Sequence, residues 1–139
     1  MALSKADALV AIQQAANGSL KDLASVLTAL VNRELEGTAQ TLTASGAVTP
    51  GVQSLNLNHA SVVIAATIAD ASKHAGFFAV LDSSASGTAA HTVTLTRGTW
   101  DGTNKTITLN APGESLIVFF DAAGNGQVVL NTGSVAIST

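Results

Sequence analysis

After Gly37 the apolar residues fall into short runs, mostly with a period of two, and turn residues separate the runs. No other feature constrains the fold as tightly. Successive side chains of a strand point to opposite faces, so a period of two describes a strand with one buried face. Thr41-Leu42-Thr43 alternates, as do Val52–Leu57, His91–Arg97 and Lys105–Asn110. Ala60–Ala69, Phe77–Leu81 and Leu116–Phe120 are continuous apolar runs, the pattern of strands buried on both faces. Gln127–Asn131 and Val135–Ser138 close the chain. Thr49-Pro50-Gly51, Ser86-Gly87, Asp101-Gly102, Pro112-Gly113, Gly124-Asn125-Gly126 and Thr132-Gly133 supply turn chemistry between the runs. Eight or nine short strands at about ten-residue spacing predict a mainly β body over residues 38–139, an antiparallel sandwich or jelly-roll-like fold.

Before Gly37 the period is different. Ser4 with Asp7, and Ser19 with Asp22, each look like a helix N-cap and its acidic partner. Asn17-Gly18 separates two helical stretches. In the second stretch Leu20, Leu23, Leu27 and Leu30 are spaced 3, 4 and 3, the stripe of a helix that packs along one seam. The sequence therefore predicts a short α-helical segment over 1–36. It serves either as a helix packed within its own domain or as an anchor and oligomerisation element, with those four leucines as its interface.

Charge divides at the same boundary. Charged residues make up 11% of the 139-residue chain, against about 25% in an average soluble domain. Seven of the fifteen lie in residues 1–36, so the deficit belongs to the β body. Outward threonines replace part of it, because a β-branched polar residue suits an exposed strand face. The remainder is expected to reflect contact with other protein. Six singly scattered basic residues and a net charge of −3 argue against a nucleic-acid partner. Lys5 and Asp7 interrupt what would be the apolar part of a signal peptide. Ala60–Ala69 is about half the length a membrane helix needs. No membrane partner is expected.

Chemistry-bearing motifs are sparse. The absence of cysteine removes disulfides, thiolate metal sites and Cys nucleophiles. His59, His74 and His91 have no metal-ligand spacing. None of the serines sits in a G-x-S-x-G elbow. Asp121 to Gly126 places two oxygen ligands four apart, but it lacks the further acids of a calcium loop and reads as a hairpin turn. These patterns predict neither an enzyme nor a cofactor. Trp100, the single tryptophan, could stack on a sugar ring from a β-loop or close the end of the β body.

The last third of the chain runs His91-Thr-Val-Thr-Leu-Thr-Arg-Gly-Thr-Trp-Asp-Gly-Thr-Asn104, then Lys105-Thr-Ile-Thr-Leu-Asn-Ala-Pro-Gly-Glu-Ser-Leu-Ile-Val-Phe-Phe120, then Gly126-Gln-Val-Val-Leu-Asn-Thr-Gly-Ser-Val-Ala-Ile-Ser138. This texture resembles the C-terminal β-domain of tailed-bacteriophage virion surface proteins: head-decoration (cement), head-fibre and tail-fibre proteins. The resemblance implies a homotrimeric β-knob on the capsid surface, docked on the major capsid protein or another virion protein through its N-terminal part. It carries over no catalytic residues. A tail-fibre or receptor- and glycan-binding module is the alternative, and Trp100 would be its ligand-binding residue.

Overall fold

The computed structural model describes residues 38–84 and 90–139. The chain divides between Gly37 and Thr38, and the description below concerns the second unit. The helical segment expected over 1–36, with Leu20, Leu23, Leu27 and Leu30, lies outside the described residues.

The unit is mainly β. Its strands are β1 (Ala39–Leu42), β2 (Gly46–Ala47), β3 (Ser54–Leu57), β4 (Ala65–Ile68), β5 (Gly76–Asp82), β6 (His91–Leu95), β7 (Thr106–Leu109), β8 (Ser115–Phe120), β9 (Gly126–Thr132) and β10 (Ala136–Ser138). A single 3₁₀ turn, Ala71–His74, precedes β5, capped by the Asp70 carboxylate. The strands form two five-stranded sheets. The first has the order β1-β3-β5-β8-β9 and the second β10-β7-β6-β4-β2.

The expectation of an all-antiparallel body is corrected here: both sheets are mixed. β1, β3 and β5 are parallel neighbours in the first sheet, and β2, β4 and β6 in the second. The cause lies in the path of the chain. Through its first six strands it changes sheet after every strand, so it re-enters each sheet in the direction it last left. Parallel neighbours need a long crossover, and here the crossover is a strand of the other sheet. This connectivity is not that of a jelly roll, whose strands pair antiparallel. After β6 the chain turns back within a sheet, and β6–β7, β8–β9, β5–β8 and β7–β10 are antiparallel. Alternating hydrophobicity has the same period in both arrangements, so it could not separate them.

The inner faces of the two sheets share one core. Leu55, Leu57, Phe78, Val80, Leu116, Val118 and Phe120 come from the first sheet. Ala66, Ile68, Val93, Leu95, Ile107 and Leu109 come from the second. Full burial of each such large aliphatic or aromatic side chain contributes about 1.5–3 kcal/mol.

Two local expectations are also corrected. Of Ala60–Ala69 only Ala65–Ile68 is strand. The His59 ring accepts the backbone N–H groups of Ser61 and Val62, which holds the preceding residues in a loop. Nor are Phe77–Leu81 and Leu116–Phe120 buried on both faces. Their burial alternates, and Phe77 and Phe119 stand 63% and 42% exposed. These strands are apolar on both sides, yet only one side has a neighbouring layer among the described residues.

Candidate functional site

Trp100 does not offer a face to a sugar. It is fully buried, its indole Nε1–H donates to the Lys105 carbonyl at 3.0 Å, and it packs against Phe120 and Phe78 with ring centroids 5.5 and 6.3 Å away. Of the two roles the sequence left open, its placement is that of a residue closing the end of the core, where the β6–β7 connection folds inward. Gly98 makes that path possible. Its φ is +104°, and a Cβ there would lie 2.6 Å from that of Ala71.

The three histidines separate into different roles. His74 Nδ1 meets the Val52 carbonyl at 2.6 Å, so that nitrogen carries a proton and donates it; the ring sits edge-on to Phe78 at 5.1 Å. His59 Nδ1 accepts the two loop N–H groups at 3.1 and 3.0 Å. His91 joins Ser84 and Asp82 in a buried cluster that has the residue types of a hydrolytic triad. Nothing in the sequence marked it, because Asp82 ends β5 in the first sheet with Ser84 just after it, and His91 opens β6 in the second, so they meet only where the two sheets face each other.

The wiring of this cluster is not that of a nucleophile. His91 Nδ1 accepts the Ile64 N–H at 3.0 Å, so the proton of the neutral ring belongs on Nε2 and is donated to Ser84 Oγ at 2.8 Å. A catalytic histidine needs the reverse, a bare nitrogen facing the serine and an N–H facing the carboxylate. Asp82 Oδ1 instead accepts the Ser84 backbone N–H at 2.9 Å and lies 3.7 Å from the same Nε2. Ser84 Oγ also accepts the His59 N–H at 3.0 Å. All three side chains are buried. The cluster pins the loop between β3 and β4 at both of its ends. Among the described residues no group of three or more His, Cys, Asp and Glu side chains gathers as metal ligands.

The acidic turns are closed upon themselves. Asp121 Oδ1 accepts the N–H groups of Ala123 and Asn125, each at 2.8 Å, and Oδ2 accepts the Asn125 amide at 3.0 Å. Asp101 does the same with Thr103 and Asn104. The Asn125 amide, then the backbone N–H groups, hold the Asp121 pKa below its ordinary value. The Asn104 backbone N–H, then its amide, act likewise on Asp101. For Asp70 the Ser72 hydroxyl comes first, then the Ser72 N–H. Each is a carboxylate whose folded pKa is depressed. The stability it contributes is present above the ordinary carboxylate pKa and is lost as pH falls through the folded value. We expect the melting temperature to fall on acidification below about pH 4. A combined Asp101→Asn, Asp121→Asn variant should show a shallower fall, measured by circular dichroism between pH 5 and 2. An equal slope in the variant would remove these turns as its cause.

The distribution of the remaining charge is the more informative feature. Of the eight charged residues after Gly37, Asp82 and Glu114 are buried. Glu114 Oε2 accepts the N–H groups of Asn110 and Ala111 and closes the β7–β8 turn. Asp70, Lys73, Arg97, Asp101, Lys105 and Asp121 all lie at one end of the body, where β4, β6 and β8 finish and β5, β7 and β9 begin. Asp70 and Arg97 pair there at 3.3 Å.

The two outer sheet faces carry no charge, and they differ from each other. On the second sheet the outward positions of β4, β6 and β7 are Thr67, Thr92, Thr94, Thr106 and Thr108 with Ala65, a hydroxylated surface. On the first, register places Phe77, Ala79 and Leu81 of β5 beside Phe119, Ile117 and Ser115 of β8, with Leu130 of β9 next to Ile117. Phe77 and Phe119 meet edge to face at 5.4 Å. Outward threonines therefore account for the missing charge on one sheet only. The other sheet shows apolar side chains, which the sequence reading placed in the interior. The chain matches no protein-family model, and neither curated proteins nor solved structures provide a match.

Proposed function

We propose that this chain is a structural protein of a bacteriophage virion: an oligomeric, trimeric capsid-decoration, cement or head-fibre subunit. Residues 1–36 bind the shell, and the β unit is the exposed body. The observation that carries this reading is the confinement of every surface charge of the β unit to one end, which leaves both sheet faces uncharged. A protein that works by permanent contact with neighbours is depleted in charge at the contacts, and many such contacts around a closed shell reinforce one another through effective concentration. The texture of residues 91–138 supports the same reading. The burial of Trp100 takes away the one residue that favoured a glycan-binding module.

The test is the mass of the purified full chain by light scattering. A trimer of the 13.9 kDa chain is expected, and a stable monomer overturns the oligomeric reading. Leu27→Asp then tests the anchor. This variant should keep the circular dichroism of a folded β body and no longer co-sediment with the capsid shell. Co-sedimentation at the wild-type ratio would remove residues 1–36 from the docking role.

A further inference from the structure

We infer that the outer face of the first sheet is where copies of this chain meet one another. The inference rests on the oligomeric reading above and adds the surface that makes the contact.

Among the described residues seven large apolar side chains stand exposed, and five of them, Phe77, Leu81, Phe119, Val129 and Leu130, belong to the adjacent strands β5, β8 and β9. A cluster of this kind is not the scattered apolar residue that any surface tolerates. It lies on a strand row that is free of charge from β1 to β9.

Charge matching selects the occupant. A partner that brought a charge onto this face would bury it unpaired, which strongly disfavours the contact. The partner must offer an uncharged, flat, apolar surface, and the same face of another copy is such a surface. A second copy, turned about a symmetry axis, sets Phe119 and Leu130 against their equivalents. About a threefold axis three such faces turn inward, and only the residues nearest the axis meet their equivalents while the rest meet different residues of the next copy. The dimensions are sufficient. Five strands about 4.8 Å apart, each with about six residues at about 3.3 Å, cover roughly 500 Å² in plan. Side-chain relief brings that toward the roughly 800 Å² per partner of a standard stable interface. Sheet faces pack on one another at about 10 Å throughout the β proteins, so the contact needs no rearrangement. The hydroxylated face of the second sheet has no comparable reason to leave water.

The test compares the full wild-type chain with Phe119→Asp, Leu130→Asp and, as a control on the other sheet, Thr94→Asp. Light scattering reads the mass, and circular dichroism reads the fold. Phe119→Asp and Leu130→Asp should each stay folded and fall to the 13.9 kDa monomer, with a dissociation constant raised about a hundredfold or more. Thr94→Asp should keep the wild-type mass. Two substitutions on different strands guard against one that fails to fold. If both folded variants keep the wild-type mass, copies meet elsewhere, and this inference falls while the oligomeric reading stands. If Thr94→Asp alone dissociates the assembly, the contact belongs to the second sheet. A monomeric wild type would overturn both.

Discussion

Trp100→Ala should destabilise the β unit by about 3–5 kcal/mol, the range found when a large aromatic is removed from a core. The ring is fully buried between Phe78 and Phe120, and its N–H is the second donor to the Lys105 carbonyl, which also accepts the Leu95 N–H at 2.8 Å, so the substitution empties a large volume and removes one hydrogen bond without orphaning that oxygen. The cavity term dominates, since one neutral hydrogen bond contributes only about 1 kcal/mol. Trp100→Phe should recover much of the loss, because it keeps most of the apolar volume and gives up only the N–H. The measurement is urea denaturation followed by far-ultraviolet circular dichroism, since the substitution removes the single tryptophan and the chain has no tyrosine, with the shift read as a change of midpoint at constant slope. A residue that served a ligand from an exposed loop would behave in the opposite way, with little change in stability. A shift under 1 kcal/mol would therefore contradict the buried placement.

His91→Ala should cost a similar amount, about 3–5 kcal/mol, by a different route. It opens a smaller cavity, but it orphans the Ile64 N–H, takes the ring N–H away from Ser84 Oγ and removes the imidazole edge that lies 3.7 Å from Asp82 Oδ1. Asp82 Oδ2 already has no partner, so the carboxylate has little reserve. An unpaired buried donor costs about 1–3 kcal/mol, and a stranded charge costs more. Ser84→Ala separates a pin from a nucleophile. Removing a nucleophile leaves stability near neutral, whereas removing this hydroxyl strands the His59 N–H and should cost about 1–2 kcal/mol. Stability equal to wild type in Ser84→Ala would reopen the catalytic reading of the cluster.

Period-two alternation located most strands, because a strand on a core must show one apolar side whatever its neighbours do. His91–Arg97 and Lys105–Asn110 contain β6 and β7, and Leu116–Phe120 falls within β8. The two residues of β2 are too few to show a period. Direction and partner were not legible, since they depend on where the chain goes between runs. The Thr49-Pro50-Gly51 signal was real, but the bend carries the chain from one sheet to the other. The candidate surface was half legible. Leu116–Phe120 stood out as an apolar, uncharged run, but burial on both faces is its ordinary meaning. Only the pairing of β5 with β8 shows that Phe77 and Phe119 share the outward side. Trp100 was ambiguous for a related reason: a tryptophan in a glycine-rich loop reads the same whether the loop folds outward or inward.

The weaving of the first six strands has a mechanical consequence. Since the chain crosses from one sheet to the other after every strand, neither layer can be peeled from its partner without drawing apart the segments that stitch them together. β1, β3 and β5 are held in place by the stretches that lead into β2, β4 and β6, as in a seam sewn through two cloths. Tension applied along the chain meets both layers together, and shear loads the whole seam before any one strand comes free. Such a weave favours yielding in one event over peeling strand by strand.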